Sequence, residues 1–469
     1  MFQKFKALFG AQDMTVGSPF MCLLKFVIPL LLGNLAQLLY TTVDAAVVGK
    51  YMGDAALSAV GASMPVHNLF LVLLLGLGSG ITIMVSQYFG AKDYETLGAS
   101  IGNSITLIAI VSVFITIVAT PLTGTVLNLV KTPTESYDYA KAYLSILFLG
   151  TIGNGFYNVL SGILRGLGES VFPLLVLAGT VITNAVLDIV FVSSGMGTAG
   201  AAYATIISQA VSAVVCLFKV LKMKGVVQIK APMLRIRRKI VGQIVHLGLP
   251  TALSMGIMFA SVMLTQSLIN GMGYMVMAAI TVTVRLDSYA VLPSQTFAIV
   301  ASTFTGQNIG AGNMDRVQKG LKTVFVMSFT FTAVMVVSML LFGRHMMRLF
   351  TDSEVLIDMG MSFIKIMCPA YFAMIVNQCL SGVIRGAGDT IGPMWISILI
   401  NVVLRVPTAF IIAHLTKTTE NPGGSPYSPF LSMLAAFIVG AAVTGIYYKK
   451  GKWRARSLVK RETAIPEGL

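Results

Sequence analysis

Asp44 and Asp188 are carboxylates set inside long apolar runs, and each stands among polar residues at helical spacing. Asn34, Gln37, Thr41 and Asp44 recur at intervals of three and four, so a helix through them gathers its polar groups on one face, with Tyr40 beside it. Asn184 and Asp188 are four apart, and Asn154, Asn158, Ser161 and Arg165 follow at spacings of four, three and four. An ionised side chain at the centre of a bilayer costs about 2.5–3.5 kcal/mol on insertion scales, so such stripes are expected to line a shared internal cavity. A carboxyl group in a low-dielectric cavity resists ionisation, and a second one nearby adds to that resistance. The pair is suited to exchanging a proton near neutral pH, or to holding Na+ when both members are charged. For any single Asn or Ser the competing reading is a hydrogen bond that glues two helices together.

One further acid falls inside an apolar run. Asp287 lies two residues from Arg285, hence on a different helix face, and the two serve equally well as anchors or as parts of a second polar site. Asn401-Val402-Val403-Leu404-Arg405 echoes Asn184-Ala185-Val186-Leu187-Asp188 with an arginine in the aspartate's place. Arg285, Asp287, Gln378 and Arg405 are therefore the polar candidates of the second half. Pro29 removes one backbone hydrogen bond shortly before the first stripe and marks a candidate hinge.

The elements that must position these residues are membrane spans. Of 469 residues 56% are hydrophobic and 11% charged, and mean hydropathy is +0.83, outside the range of soluble globular chains. Runs of roughly 20 apolar residues, the length that crosses a ~30 Å core, give about twelve helices, the first near 20–48 and the last near 429–448. The first is read as a span and not a signal peptide, because no small-residue cleavage site follows a short core. The net charge of +15 is explained by position. With the N-terminus cytoplasmic, most Lys and Arg fall on the inside, including eight between Lys219 and Lys239, so anionic lipid and not nucleic acid is the expected partner.

That basic segment joins two copies of one unit. Gln87-Tyr88-Phe89-Gly90-Ala91 returns as Gln307-Asn308-Ile309-Gly310-Ala311, and Ser161 to Ser170 returns as Ser381 to Thr390 in the same register. The expected units are 1–218 and 240–448, six helices each and parallel, with a linker at 219–239 and a basic tail at 449–469. Gly195-Met196-Gly197-Thr198-Ala199-Gly200 fits a dinucleotide fingerprint, but no acid stands about 20 residues on, and a tight turn explains the glycines. Gly76 and Gly80 read as a close helix contact. No Walker A sequence is present, the four cysteines show no paired spacing, and no cofactor is expected.

Thr42-Val43-Asp44 with Gly49, Gln87 to Ala91, Ser161 to Ser170, Asn184 to Asp188, Val284 to Asp287, Gly306 to Gly310 and Arg385 to Thr390 together resemble the multidrug and toxic compound extrusion (MATE) family, nearest its bacterial DinF-like branch. The resemblance covers nearly the whole chain. It implies an all-α membrane protein of two six-helix bundles around a V-shaped cavity, a transporter and not an enzyme. It further implies export of amphipathic, often cationic organic compounds against H+ or Na+, by rocker-switch alternating access. In that branch the coupling carboxylates match Asp44 and Asp188, with Asn184 and Asn158 as partners. The NorM-like branch keeps carboxylates on spans seven and ten, which this sequence lacks. A monomer in a bacterial inner membrane with both termini cytoplasmic is expected. A lipid-linked oligosaccharide flippase, favoured if Arg285, Lys365 and Arg405 share a cavity, and an ion channel are the other readings.

Overall fold

The computed structural model describes residues 11–459 apart from 53, 130, 131, 224, 228, 229 and 420; the side chains of 39, 41–46, 54, 55, 57 and 62 also fall outside the description. Among the described residues the chain is all helix, with no strand. The first half runs α1 Pro19–Met52, α2 Asp54–Gly90, α3 Tyr94–Leu129, α4 Thr134–Leu149, α5 Thr151–Gly166, α6 Val171–Phe191 and α7 Gly197–Lys222. The second runs α8 Arg238–Asn270, α9 Tyr274–Gly310, α10 Met314–Arg348, α11 Glu354–Gly386, α12 Ile391–Ile398, α13 Val406–Leu415 and α14 Ser428–Lys449.

These helices make six spans per half. Helices α4 and α5 form one span bent by 51° at Gly150, where an added Cβ would strike Ile206 of α7. Helices α12 and α13 form another, joined by the π-helical stretch Leu399–Arg405. Between α6 and α7, which pack along one another, Gly195 and Gly197 take φ of 85° and 65° in the turn at Val192–Met196, and Gly200 sits against Phe191. The dinucleotide-like glycines are thus the bend of a helical hairpin.

Most helices outrun their apolar stretches. Helix α3, for instance, extends four residues before and seven beyond the 98–122 run, because the backbone ladder continues through polar residues past the lipid. Prolines 29, 65, 121, 250, 293 and 369 all lie inside helices without ending them. Neighbouring helices and local adjustment satisfy the backbone groups that proline leaves open in a membrane.

The two halves meet along a seam that runs to the end bearing the segments around Met14 and Leu458. A Cβ on Gly76 would run into Ala252 of α8, and one on Gly80 would stand 2.7 Å from the Gly248 nitrogen. Nearer the ends of α2 and α9, a Cβ on Gly90 would strike the Gln307 carbonyl and one on Gly310 the Gln87 carbonyl. Glycine is required at these points because backbones touch. The start of α1 also crosses the boundary: Leu23, Phe26 and Val27 share a buried cluster with Phe297, Phe304 and Val383.

Candidate functional site

Asp188 is fully buried, at 0% exposure, on α6, and Asn184 one turn earlier is 1% exposed. Neither the amide nitrogen nor the amide oxygen of Asn184 has a hydrogen-bond partner among the described residues. A side chain that could use up to four hydrogen bonds, buried with none, is built to serve something else at that place. Helix α6 packs on α1, whose Gly33 faces Leu174 and Leu177. Asp188 is thus held between helices of the first half, as its apolar surroundings in Val171–Phe191 require.

The stripe expected on α1 divides. Asn34 donates to Thr296 Oγ1 of α9 at 2.7 Å, across to the second half, whereas Tyr40 is buried and its hydroxyl meets Thr205 of α7 at 3.3 Å. Gln37 is exposed. The side chains of Thr41 and Asp44 lie outside the described residues, although α1 runs through both positions. Pro29 sits inside α1. On α5, Asn158 donates to the backbone carbonyl and the side-chain oxygen of Asn154, both at 2.9 Å, so these two asparagines bond to each other along one helix. Their link to Asp188 rests on the resemblance alone.

In the second half the structure gathers Asp287, Tyr371 and Arg405. The Tyr371 hydroxyl donates to Asp287 Oδ1 at 2.6 Å, and the charges of Arg405 and Asp287 act on each other. Arg405 is 9% exposed, at the end of the π-helical stretch, and its Nε has no acceptor among the described residues. π-Helical turns recur at functional sites because the extra residue re-aims the side chains around it. Arg285 is placed elsewhere, exposed and stacked 5.7 Å over the Phe350 ring, and Lys365 is exposed as well. Gln378 is half-buried; its neighbour Asn377 makes the bonds, accepting from Ser381 at 3.2 Å and Thr444 at 2.9 Å. Asn377 and Tyr371 were not singled out from the sequence, since a lone Asn or Tyr in an apolar run is common.

The echo between Asp188 and Arg405 is also not one of register. Pro173 and Pro393 correspond, yet Asp188 follows its proline by fifteen residues and Arg405 by twelve. The arginine stands nearly one turn earlier in its span. An apolar groove of about 420 Å3 at the α4–α5 bend, lined by Leu149, Phe156, Ile206 and Leu217, includes none of these polar residues.

The MatE family profile matches this chain twice, over residues 29–190 and 250–411, together more than half of it. The probable multidrug resistance protein YpnP of Bacillus subtilis is 30% identical over 450 residues, covering 96% of this chain and 99% of that protein. The probable multidrug resistance protein NorM of Thermotoga maritima is 25% identical, covering 94% of each. Among solved structures, a MOP superfamily transporter from Pyrococcus furiosus, described with a binding pocket of reverse polarity, superposes with a TM-score of 0.87 at 26% identity, covering 94% of this chain and 97% of that one. A MATE transporter crystallised in complex with MaL6 also scores 0.87 at 25% identity, covering 94% and 98%.

Proposed function

The chain belongs to the MatE family of multi-pass membrane transporters, and from that premise we propose that it is a secondary active multidrug exporter. Its cargo is amphipathic, often cationic organic compounds, exchanged for H+ or Na+. The observation that carries this reading is Asp188, a carboxyl group wholly removed from solvent in an apolar span, one turn from Asn184, whose amide has no hydrogen-bond partner among the described residues. A buried carboxyl carries a desolvation penalty that an apolar residue at the same place would not.

In the proposed cycle Asp44 and Asp188 attract a lipophilic cation when ionised, and a proton or Na+ that neutralises them releases it. The two ligands compete for one charge, so each lowers the affinity for the other by the same factor. Pro29 in α1 supplies the bend that accompanies neutralisation. The two halves rock about their seam, with the end bearing both chain termini facing the cytoplasm, in agreement with the basic residues gathered there. In this reading ion exchange belongs to the first half, while Asp287 in the second lies under the electrostatic influence of Arg405.

The test is transport in liposomes. A fluorescent organic cation should move against its gradient when either a pH or a sodium gradient is imposed alone, and the effective gradient names the ion. Absence of movement under both gradients contradicts the proposal.

A further inference from the structure

The two sequence echoes interlock, and they do so across the boundary between the halves. Gln87, from the first copy of one motif, donates through Nε2 to the Gly386 carbonyl in the second copy of the other motif, at 2.8 Å. Gln307 makes the reciprocal bond to the Gly166 carbonyl at 3.0 Å. Both glutamines are 0% exposed. Their side-chain oxygens are used as well: Gln307 Oε1 accepts from the Met14 amide at 2.8 Å, and Gln87 Oε1 accepts from the Leu458 amide at 2.8 Å. Every one of these four bonds joins residues from opposite halves of the chain.

The segments that supply Met14 and Leu458 are themselves anchored. The Gln12 amide bonds to the Leu167 carbonyl, and Gly168, at φ 81°, leaves room for the Gln12 carbonyl. Gly388, at φ 98°, leaves the same room for the Arg456 carbonyl. Arg316 of α10 binds the first segment from the other half, donating to the carbonyls of Met14 at 3.0 Å and of Val16 and Gly17 at 2.7 Å. Each terminal segment thus rests on a glycine turn of its own half and reaches a glutamine of the other.

We propose that Gln87 and Gln307 are the positioning residues of the transport cycle, a two-fold latch that holds the terminal end of the molecule closed with the segments around Met14 and Leu458 as its straps. This rests on the alternating-access reading. Separating the halves at that end must break all four bonds in a buried, low-dielectric seam, where an unmade hydrogen bond is expensive. Reciprocity makes the latch cooperative, since a movement that frees one glutamine frees the other. It also explains why these motifs occur twice while the residues of the polar sites do not.

The experiment uses the full chain in lipid nanodiscs with spin labels at Glu95→Cys and Asp315→Cys, exposed first-turn positions of α3 and α10, the four native cysteines being replaced. Gln87→Met with Gln307→Met, of similar length, removes both donors between the halves and both oxygens that receive the straps. The wild type should show one short distance. The double variant should raise the ratio of the long-distance to the short-distance population by about tenfold or more. An unchanged distribution in the folded double variant overturns the latch. Should that variant fail to fold, deletion of residues 457–469 withdraws the Leu458 amide. It should raise the ratio by a smaller factor, and no change there likewise contradicts the strap. These distances need neither drug nor gradient, so a failed latch and a failed antiport reading are told apart.

Discussion

The two halves share a backbone plan and differ in what they bury. In the first, α6 carries Asn184 and Asp188 at helical spacing in regular α geometry. In the second, the echoing Asn401 and Arg405 lie in a π-helical stretch, the arginine's charge acts on Asp287, and Tyr371 donates a hydrogen bond to that acid. Duplication gave both halves a polar place inside the membrane, with a buried acid in one and an acid, a tyrosine and an arginine in the other. Gln87 and Gln307, Gly90 and Gly310, and Gly166 and Gly386 repeat faithfully at the seam. What is common to the halves holds them together, and what differs is their buried polar groups.

The largest effect should come from the first half. Asp188→Asn is expected to reduce gradient-driven export to the level of empty liposomes while the protein stays folded, as judged by its elution profile and Tm.

The second half should respond in stability and not in coupling. Arg405→Gln removes the positive charge that acts on the buried Asp287 and should lower stability. Adding Asp287→Asn to the same chain should restore most of it, a non-additivity that thermal unfolding of the two single variants and the double variant would reveal. Additive losses would mean that the two residues are not coupled.

At the seam, Gly310→Val sets a branched side chain against the Gln87 carbonyl and should cost about 2 kcal/mol of stability with the terminal end closed. The equivalent change at Gly179, which has no atom within 4 Å of an added Cβ, should be nearly silent in the same unfolding measurement.

The smallest effect concerns Glu169, which lies outside the spans and accepts from the Val171 and Phe172 amides at 3.0 Å each. Burial holds its carboxyl above the ordinary value of 4.5, opposed by those amides and by Lys219. A carboxyl raised in the folded state stabilises most below its unfolded value and loses that contribution as pH rises through the folded one. Glu169→Gln, which keeps an acceptor, should therefore gain in Tm relative to wild type as pH rises from about 4.5 through that window.

Most of the architecture was legible because lipid imposes a simple length rule, and twelve apolar runs became twelve spans. The bend at Gly150 was not, since nothing in an apolar run announces that Ile206 will press against it. The partner of the α1 stripe was not legible for a similar reason. Spacing tells which residues share a side of a helix, but Asn34 is turned to use by Thr296, more than 250 residues away. Gln87 and Gln307 were visible as repeated letters. Their role depends on which carbonyl of the opposite half meets each amide, and a repeat seen in one dimension shows the likeness of two units but not their contact. Asp287 and Arg405 were picked out as expensive residues, while the π-helical turn that carries Arg405 has no composition signal.

The most direct test of the account compares the two polar sites in one assay. Wild type, Asp188→Asn and the combined Asp287→Asn, Arg405→Gln variant would be placed in liposomes with a fluorescent organic cation under the effective ion gradient. Gradient-driven export should persist in the wild type and the second-half variant and vanish with Asp188→Asn. Undiminished export by Asp188→Asn, or its loss in the second-half variant alone, would contradict the assignment of coupling to the first half.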